Sequence, residues 1–159
     1  MKRTAVLLAC LVLCILALST AGCGNSALEQ GLRAEKAGNL ADALASYSAA
    51  INSTFMVSQK RSLAYANRGG VYLIQGKLDL ALKDLNNALE QDAQSEAAYY
   101  NRAVVYLLKG EIKKAQGDAK RLLQLEPTNP AARRLFEMTQ NPPPRLTIPL
   151  TWSQANAAR

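Results

Sequence analysis

The chain of 159 residues contains no histidine, and only three cysteines. Cys10 and Cys14 fall inside an apolar run at the very start, which leaves Cys23 as the one thiol beyond it. These absences remove most nucleophile–base pairs and the usual zinc sites, and no disulfide can form after that run. Carboxylates remain as possible catalytic groups. The twelve of them, Glu29, Glu35, Asp42, Asp79, Asp84, Glu90, Asp92, Glu96, Glu111, Asp118, Glu126 and Glu137, are spread mostly over helix positions expected to face water. The sequence therefore displays no catalytic constellation, and no cofactor or metal is expected. It reads as a non-enzyme.

What is present is a recurring pattern. Tyr65 to Leu89 reads as two short amphipathic helices joined by a turn. Tyr65, Gly69 and Tyr72 recur at helical spacing on one face. Gln75-Gly76-Lys77 interrupts them with a helix-stopping glycine. Leu78, Ala81, Leu82, Leu85, Ala88 and Leu89 then form an apolar stripe. Gly69 and Ala81 are small enough to let two backbones approach closely. One such pair cannot bury its apolar faces alone, and the chain supplies neighbours. Upstream, Gly31, Ala34, Gly38, Leu40, Ala43, Tyr47 and Ala50 repeat the layout. Downstream, Tyr99, Ala103, Tyr106, Gly110, Ile112, Ala115 and Leu122 repeat it again. Gly38 and Gly76 lie 38 residues apart, and Gly76 and Gly110 lie 34 apart.

A helix-turn-helix unit with a period near 34 resembles the tetratricopeptide repeat (TPR) family over Ser26 to about Gln140. The fold expected is all-α: three repeats at about 26–57, 62–95 and 96–129, then a capping helix at 130–140. Three repeats are the minimum for a stable array, so stability should be modest. An unrelated helical bundle is the other reading of the stripes, but it does not account for glycines and alanines in register.

Several local signals set boundaries. Ser26-Ala-Leu-Glu29 has the spacing of a capping box, which would start the first helix there. Residues 23–25 would then be a short tether. Asn39 is the expected cap of the second helix, with Asp42 three residues on. The four extra residues of the longer spacing fall in Asn52–Arg61, where Phe55 and Met56 are expected to pack into a loop or an extended following helix. Repeat three looks weaker. Gly117 sits inside its second helix, and Ala119 stands where Tyr47 and Leu85 stand elsewhere, so less should be buried there. Thr128-Asn129-Pro130 gives a cap followed by proline at the first helical position. Leu135, Phe136 and Met138 should supply the apolar cover of the end helix.

Residues 141–159 form a proline-rich tail. Pro142, Pro143 and Pro144 impose extended backbone. Leu146, Ile148, Leu150 and Trp152 alternate around Pro149, which suggests an extended segment. It either folds back on the repeats, serves as a partner-binding arm, or is a loose terminus.

The start of the chain is a targeting segment. Lys2 and Arg3 precede 14 consecutive apolar residues, Ala5 to Leu18, too few for a membrane span of ~20. Ser19, Thr20, Ala21 and Gly22 are small, and Cys23 follows. Residues 1–22 resemble a bacterial lipoprotein signal, with Thr20 where that family prefers leucine. The resemblance implies acylation of Cys23, anchorage to the lipid membrane through it, and a cell-envelope location. Gly24 after the cysteine favours the outer membrane, facing the periplasm, in a Gram-negative cell. An ordinary secretory leader and an uncleaved anchor helix are the competing readings.

TPR domains bind peptides or protein surfaces in a groove lined by the first helix of each repeat. The resemblance places Asn67, Gly70 and Ile74 of repeat two, and Tyr100, Asn101, Val104 and Leu108 of repeat three, on that face. Asn67 and Asn101 stand 34 residues apart, so stacked repeats should present both amides to one surface. Asn67-Arg68 and Asn101-Arg102 look like part of the carboxylate clamp of chaperone-binding TPRs. The further cations that the clamp needs are replaced by Ala97 and Asn101, so a C-terminal carboxylate is a doubtful ligand.

Charge is uneven. The formal net charge is +7. From Cys23 to Leu108 basic and acidic residues balance at eight each. From Lys109 to Arg134 seven basic residues, among them Lys113, Lys114, Lys120, Arg121, Arg133 and Arg134, face three acidic ones. This basic end suits anionic lipid or an acidic partner, or is a solvated face. Nucleic acid is not an expected partner of an exported protein. The function expected is a membrane-anchored scaffold or adaptor for protein or peptide partners of the envelope. A pilotin-like assembly factor for an outer-membrane complex, and a regulatory subunit tethering a cell-wall enzyme, are the alternatives.

Overall fold

Gly38, Gly76 and Gly110 adopt φ values of +78°, +71° and +75°, a region in which a Cβ would be strained. Each ends a helix in the same way. The glycine N–H donates to the carbonyl three residues back (Glu35, Leu73, Leu107), at 2.9–3.0 Å. The next N–H donates to the carbonyl five residues back (Ala34, Tyr72, Tyr106), at 2.8–2.9 Å. This double bond pattern satisfies the last carbonyls and reverses the chain. The expected turn glycines thus close the turns within the three repeats.

The computed structural model describes residues 24–54, 56–142 and 151–155. The leader, Cys23, Phe55, Leu146, Ile148 and Leu150 lie outside them. The described residues are helical throughout, with no strand: α1 (24–36), α2 (Leu40–Ile51), α3 (Ser58–Ile74), α4 (Leu78–Gln91), α5 (Glu96–Leu108), α6 (Ile112–Leu125), α7 (Pro130–Gln140) and α8 (Trp152–Ala155). None of these helices is long and apolar enough to cross a membrane. Helices α1 and α2, α3 and α4, and α5 and α6 form three antiparallel pairs, and α7 covers the last.

The pairs close on a matched couple, seven residues before and nine after each turn glycine. A Cβ on Gly31 would stand 2.5 Å from the Tyr47 ring. One on Gly69 would stand 2.9 Å from Leu85 Cγ and 3.3 Å from the Ala81 carbonyl oxygen, as the expected close approach of Gly69 and Ala81 requires. In repeat three the couple is Ala103 and Ala119, both fully buried. This corrects the expectation that Ala119 leaves repeat three underfilled. The facing residue is larger by the methyl that Gly31 and Gly69 lack, so the loss on one helix is offset on the other. Among the described residues nothing stands within 4 Å of a Cβ placed on Gly117. Its cost is one of helix propensity alone.

Caps follow the sequence at two sites and depart from it at one. Asn39 Oδ1 accepts from the Asp42 N–H at 3.4 Å, and Asn129 Oδ1 accepts from the Ala131 N–H at 2.8 Å, with Pro130 at the start of α7. Ser26 is not a cap. Gly24 and Asn25 are already helical, and Ser26 Oγ instead accepts from Gln30 Nε2 at 3.3 Å. Gly24 lies against Ser53, where a Cβ would come within 2.5 Å of the hydroxyl, so packing carries α1 past the local stop signal. Met56 is buried in the loop before α3, as expected. Leu135 is buried, and Phe136 and Met138 pack half-buried on the core.

Three carboxylates expected to face water do not. Glu35, Asp84 and Asp118 are only 8%, 3% and 7% exposed. Asp84 is gripped by Arg68 through two bonds of 2.7 and 2.9 Å, and Asp118 by Arg102 through two of 2.7 Å. Each arginine also reaches back to the preceding repeat, Arg68 to Ser48 Oγ at 2.9 Å and Arg102 to Asn86 Oδ1 at 2.8 Å. Hydrogen bonding to Asp84 raises the Arg68 pKa. Burial acts to lower that of Arg102, and the bonds and charge of Asp118 outweigh it. These forks pin the two helices of a repeat and the neighbouring repeat together.

Helix α5 packs on both α3 and α7, whereas α2, α4 and α6 make no comparable contact with one another. First helices therefore form the inner layer and second helices fan apart on the outer side. The inner layer is the wall of a groove.

Candidate peptide-binding groove

The groove floor is polar at its centre. Asn101, on α5, is 1% exposed. Its Nδ2 donates to the Ala66 carbonyl of α3 at 3.2 Å, which ties the two first helices together. Its Oδ1 accepts from the Trp152 backbone N–H at 2.9 Å. A residue 51 positions away is thus held by the side-chain amide expected to take a peptide backbone.

The rest of that segment lies across α1, α3 and α5. Thr151 is 1% exposed, and a Cβ on Gly70 would stand 3.5 Å from its Cγ2 and 3.1 Å from Asn101 Nδ2. The absent side chain of Gly70 makes the room in which Thr151 sits. The Trp152 ring lies 5.4 Å from the Tyr100 ring at 54°, a tilted aromatic contact. Burial raises the Tyr100 pKa, and the Arg134 charge acts against the shift. Ser153 donates a short hydrogen bond to Glu35 Oε1, and the Tyr47 hydroxyl donates to Glu35 Oε2 at 2.6 Å. Burial first, then the bond and charge of Glu35, push the Tyr47 hydroxyl far above the ordinary tyrosine value, with Asn67 opposing. A depression of about 460 Å³ remains open beside the segment, lined by Leu32, Glu35, Lys36, Ser153 and Gln154.

The described residues 151–155 of the tail therefore lie on the repeats, with Trp152–Ala155 as a single helical turn; Leu146, Ile148 and Leu150, on which the extended segment was expected, lie outside the described residues. The turn caps itself: the Thr151 N–H donates to Gln154 Oε1 at 3.0 Å, and the Ala155 N–H to the Thr151 carbonyl at 2.8 Å.

The residues assigned to the groove from sequence are divided by the structure. Gly70, Tyr100 and Asn101 meet the tail. Asn67 is 3% exposed and stands beside Tyr47. Val104 is fully buried in the core, where α3, α4, α6 and α7 pack around α5. Leu108 and Ile74 are half-buried, and Leu108 packs on the core. Arg68 and Arg102 face their aspartates, so the Asn-Arg pairs are not parts of a clamp. Ala97 is 4% exposed and offers no cation. Lys113, Lys114, Lys120, Arg121, Arg133 and Arg134 are all exposed. Lys114 pairs with Glu111 at 2.5 Å, Arg121 bonds Gln124 at 3.3 Å, and Arg134 reaches the Pro130 carbonyl at 3.5 Å. Glu35, Thr151 and Ser153 were not foreseen. The glutamate stands where Leu73 and Leu107 stand in later repeats, and that break in the apolar pattern was the available signal.

Comparison with known proteins agrees with this architecture. The TPR repeat family matches residues 64–110. No curated protein sequence matches the chain. Among solved structures, the Arabidopsis OM64 TPR domain is similar at 23% identity and a TM-score of 0.69, covering 76% of this chain and 97% of that one. The second TPR domain of human RPAP3, solved with the HSP70 peptide SGPTIEEVD, is 24% identical with a TM-score of 0.64, covering 77% and 96%. The TPR2B domain of yeast Sti1, solved as a pHsp70 complex, is 18% identical with a TM-score of 0.65, covering 74% and 95%. The chain thus has the tetratricopeptide-repeat fold, and its residues 64–110 match the repeat family itself.

Proposed function

We propose that this protein is a membrane-anchored, non-catalytic scaffold that holds a segment of a partner protein in the groove of α1, α3 and α5. The observation that carries the reading is the Asn101 amide, which takes a backbone N–H from a segment distant in sequence while Tyr100 receives its aromatic ring. These are peptide-binding contacts already in use. Two of the similar structures were solved with an HSP70 peptide or as a pHsp70 complex, which supports a peptide segment as the ligand here. Lacking the clamp cations, the groove suits an internal segment better than a free C-terminal carboxylate.

The anchor is Cys23, acylated after removal of residues 1–22, and the partners are proteins of the cell envelope. The apolar run, the small residues before the cysteine and the absence of any other thiol in the remaining chain support this. The basic residues of α6 and α7 would face anionic lipid or an acidic flank of the partner.

Both parts are tested in membranes from cells expressing the full chain. A photo-crosslinking residue at Leu32 should capture one or a few envelope proteins, and Asn101→Ala should lose them with helicity unchanged. Undiminished capture moves the site off the groove. A dominant outer-membrane complex among the captured proteins would identify an assembly factor, and a cell-wall hydrolase a regulatory subunit. Cys23→Ala should release the protein from membranes; fatty-acid labelling that persists in this variant refutes the anchor.

A further inference from the structure

The groove is occupied by the chain's own C-terminal segment, and the contacts that hold it are those of a ligand. The helical turn Trp152–Ala155 buries none of its residues fully. Its Trp152 and Ala155 pack half-buried against the core without forming a layer of their own. It is held by a backbone N–H on Asn101, a ring on Tyr100, a hydroxyl on Glu35 and the single buried side chain of Thr151. A single turn of helix has no stability by itself, so it depends on such contacts with the repeats to stay in place.

We propose that Thr151–Ala155 is an internal ligand that closes the groove to partners, and that a partner enters by replacing it with a segment of the same chemistry: hydroxyl residue, aromatic, hydroxyl residue. This rests on the groove being the binding site. Each position has its reason. The space left by Gly70 admits a residue the size of serine or threonine. Tyr100 receives a ring. Glu35, a buried carboxylate already satisfied on one oxygen by Tyr47, needs a donor on the other. An acidic side chain at that third position would bring two carboxylates together in a poorly hydrated site, so an acidic residue there is rejected. The open depression beside Leu32 and Lys36 leaves room for the partner to run beyond the tail.

The occlusion has a size. An intramolecular ligand acts at an effective concentration of the order of mM, and apparent affinity falls with the fraction of open groove. A tail seated nine-tenths of the time weakens a competitor ~10-fold.

Trp152 is the only tryptophan, so its fluorescence reports the tail directly. In the full chain it should be shielded from acrylamide, independently of protein concentration, and Asn101→Ala should expose it. An unshielded Trp152, or no change in Asn101→Ala, overturns the seating. Shielding that grows with concentration shows exchange between copies and overturns closure within one chain. A labelled peptide with the sequence of Ile148–Ala155 should bind the Trp152→Ala full chain at least ~10-fold more tightly than the wild type, with both proteins melting alike. Replacing the serine of that peptide by glutamate should weaken binding by a similar factor. Equal binding to both proteins overturns self-occupation and leaves the groove as the partner site. No binding to either overturns the proposed motif, while envelope crosslinking at Leu32 still judges the groove. Gln154→Ala in the same background, which opens the self-cap of the turn, should give an intermediate gain; none would show that the turn itself is not what holds the groove closed.

Discussion

Three residues before its turn glycine α1 carries Glu35, where α3 and α5 carry Leu73 and Leu107. Nine residues after that glycine α2 carries Tyr47, where α4 and α6 carry Leu85 and Ala119. Repeat one therefore joins its helices by a hydrogen bond from Tyr47 to Glu35, on the side that meets the tail. Repeats two and three join theirs by Arg68–Asp84 and Arg102–Asp118, where repeat one has Gln30 and Ser46. The spacing is common to all three pairs, and the fastener differs. The difference teaches that a repeat can give up its ion pair if a large residue fills the gap left by a glycine. It also shows how a polar link moved to the groove side becomes available to a ligand.

The largest effect should come from removing the filler of repeat one. Tyr47→Ala is expected to cost ~3–5 kcal/mol, since the ring lies against Gly31 and nothing else can fill the space. Denaturant midpoints measure it, and a loss near ~1 kcal/mol would show that repeat one is not held this way. Tyr47 also sets a pH dependence. The unfolded chain ionises this phenol above its ordinary value of 10.0, and the folded chain resists. Stability is then full below pH 10.0 and falls as pH rises past it. Tyr47→Phe should flatten that alkaline fall.

Next come the forks. Arg68→Ala and Arg102→Ala each leave a buried aspartate unpaired, at a cost approaching ~3 kcal/mol. Gln30→Ala at the matching place in repeat one should stay within ~0.5 kcal/mol. Similar thermal shifts for all three would erase the contrast drawn above.

A third test converts repeat two into repeat three. Leu85→Ala alone opens a cavity, and Gly69→Ala alone crowds Leu85. Together they reproduce Ala103 with Ala119, so the double variant should beat the sum of the singles by ~0.5–3 kcal/mol. Strict additivity would mean that the two positions do not compensate.

The smallest effects are gains. Gly117→Ala has open space for its methyl and should stabilise by ~0.5–1 kcal/mol, seen as a higher melting midpoint. Installing the missing fork, Gln30→Arg with Ser46→Asp, should add no more than ~1 kcal/mol, because that pair would lie near the surface. A larger gain would mean that repeat one is under-fastened.

The parts of this structure that were legible in the sequence are the ones whose cause is local. Turn glycines need a positive φ, Asn39 and Asn129 cap the helices that follow them, and Gly69 marks a close approach. Each signal lies within a few residues of its effect. Ser26 misled because its local signal was sound and packing of Gly24 on Ser53 overrode it. The forks join residues 16 apart and were hidden by an Asn-Arg pair that resembles another device. Of the residues assigned to the groove by their place in the repeat, Gly70, Tyr100 and Asn101 meet the tail. Asn67, in the same register as Asn101, has Tyr47 beside it, because equal register does not give equal neighbours. The seat of the tail was beyond reach, since a four-residue turn carries little periodicity and Glu35 lies 118 positions from Ser153.

Each fork is carried by the later repeat and reaches back to the earlier one, Arg68 to Ser48 and Arg102 to Asn86. An array built this way grows in one direction. A unit added after α6 would bring its own fastener and would need only a polar group waiting on the unit before it. Lys120 now stands at that waiting place, and Phe136, 34 residues after Arg102, stands where the next arginine would be. A cation in place of the waiting acceptor and a ring in place of the arginine mark the end of the series: the chain stops adding repeats where it stops supplying the hook.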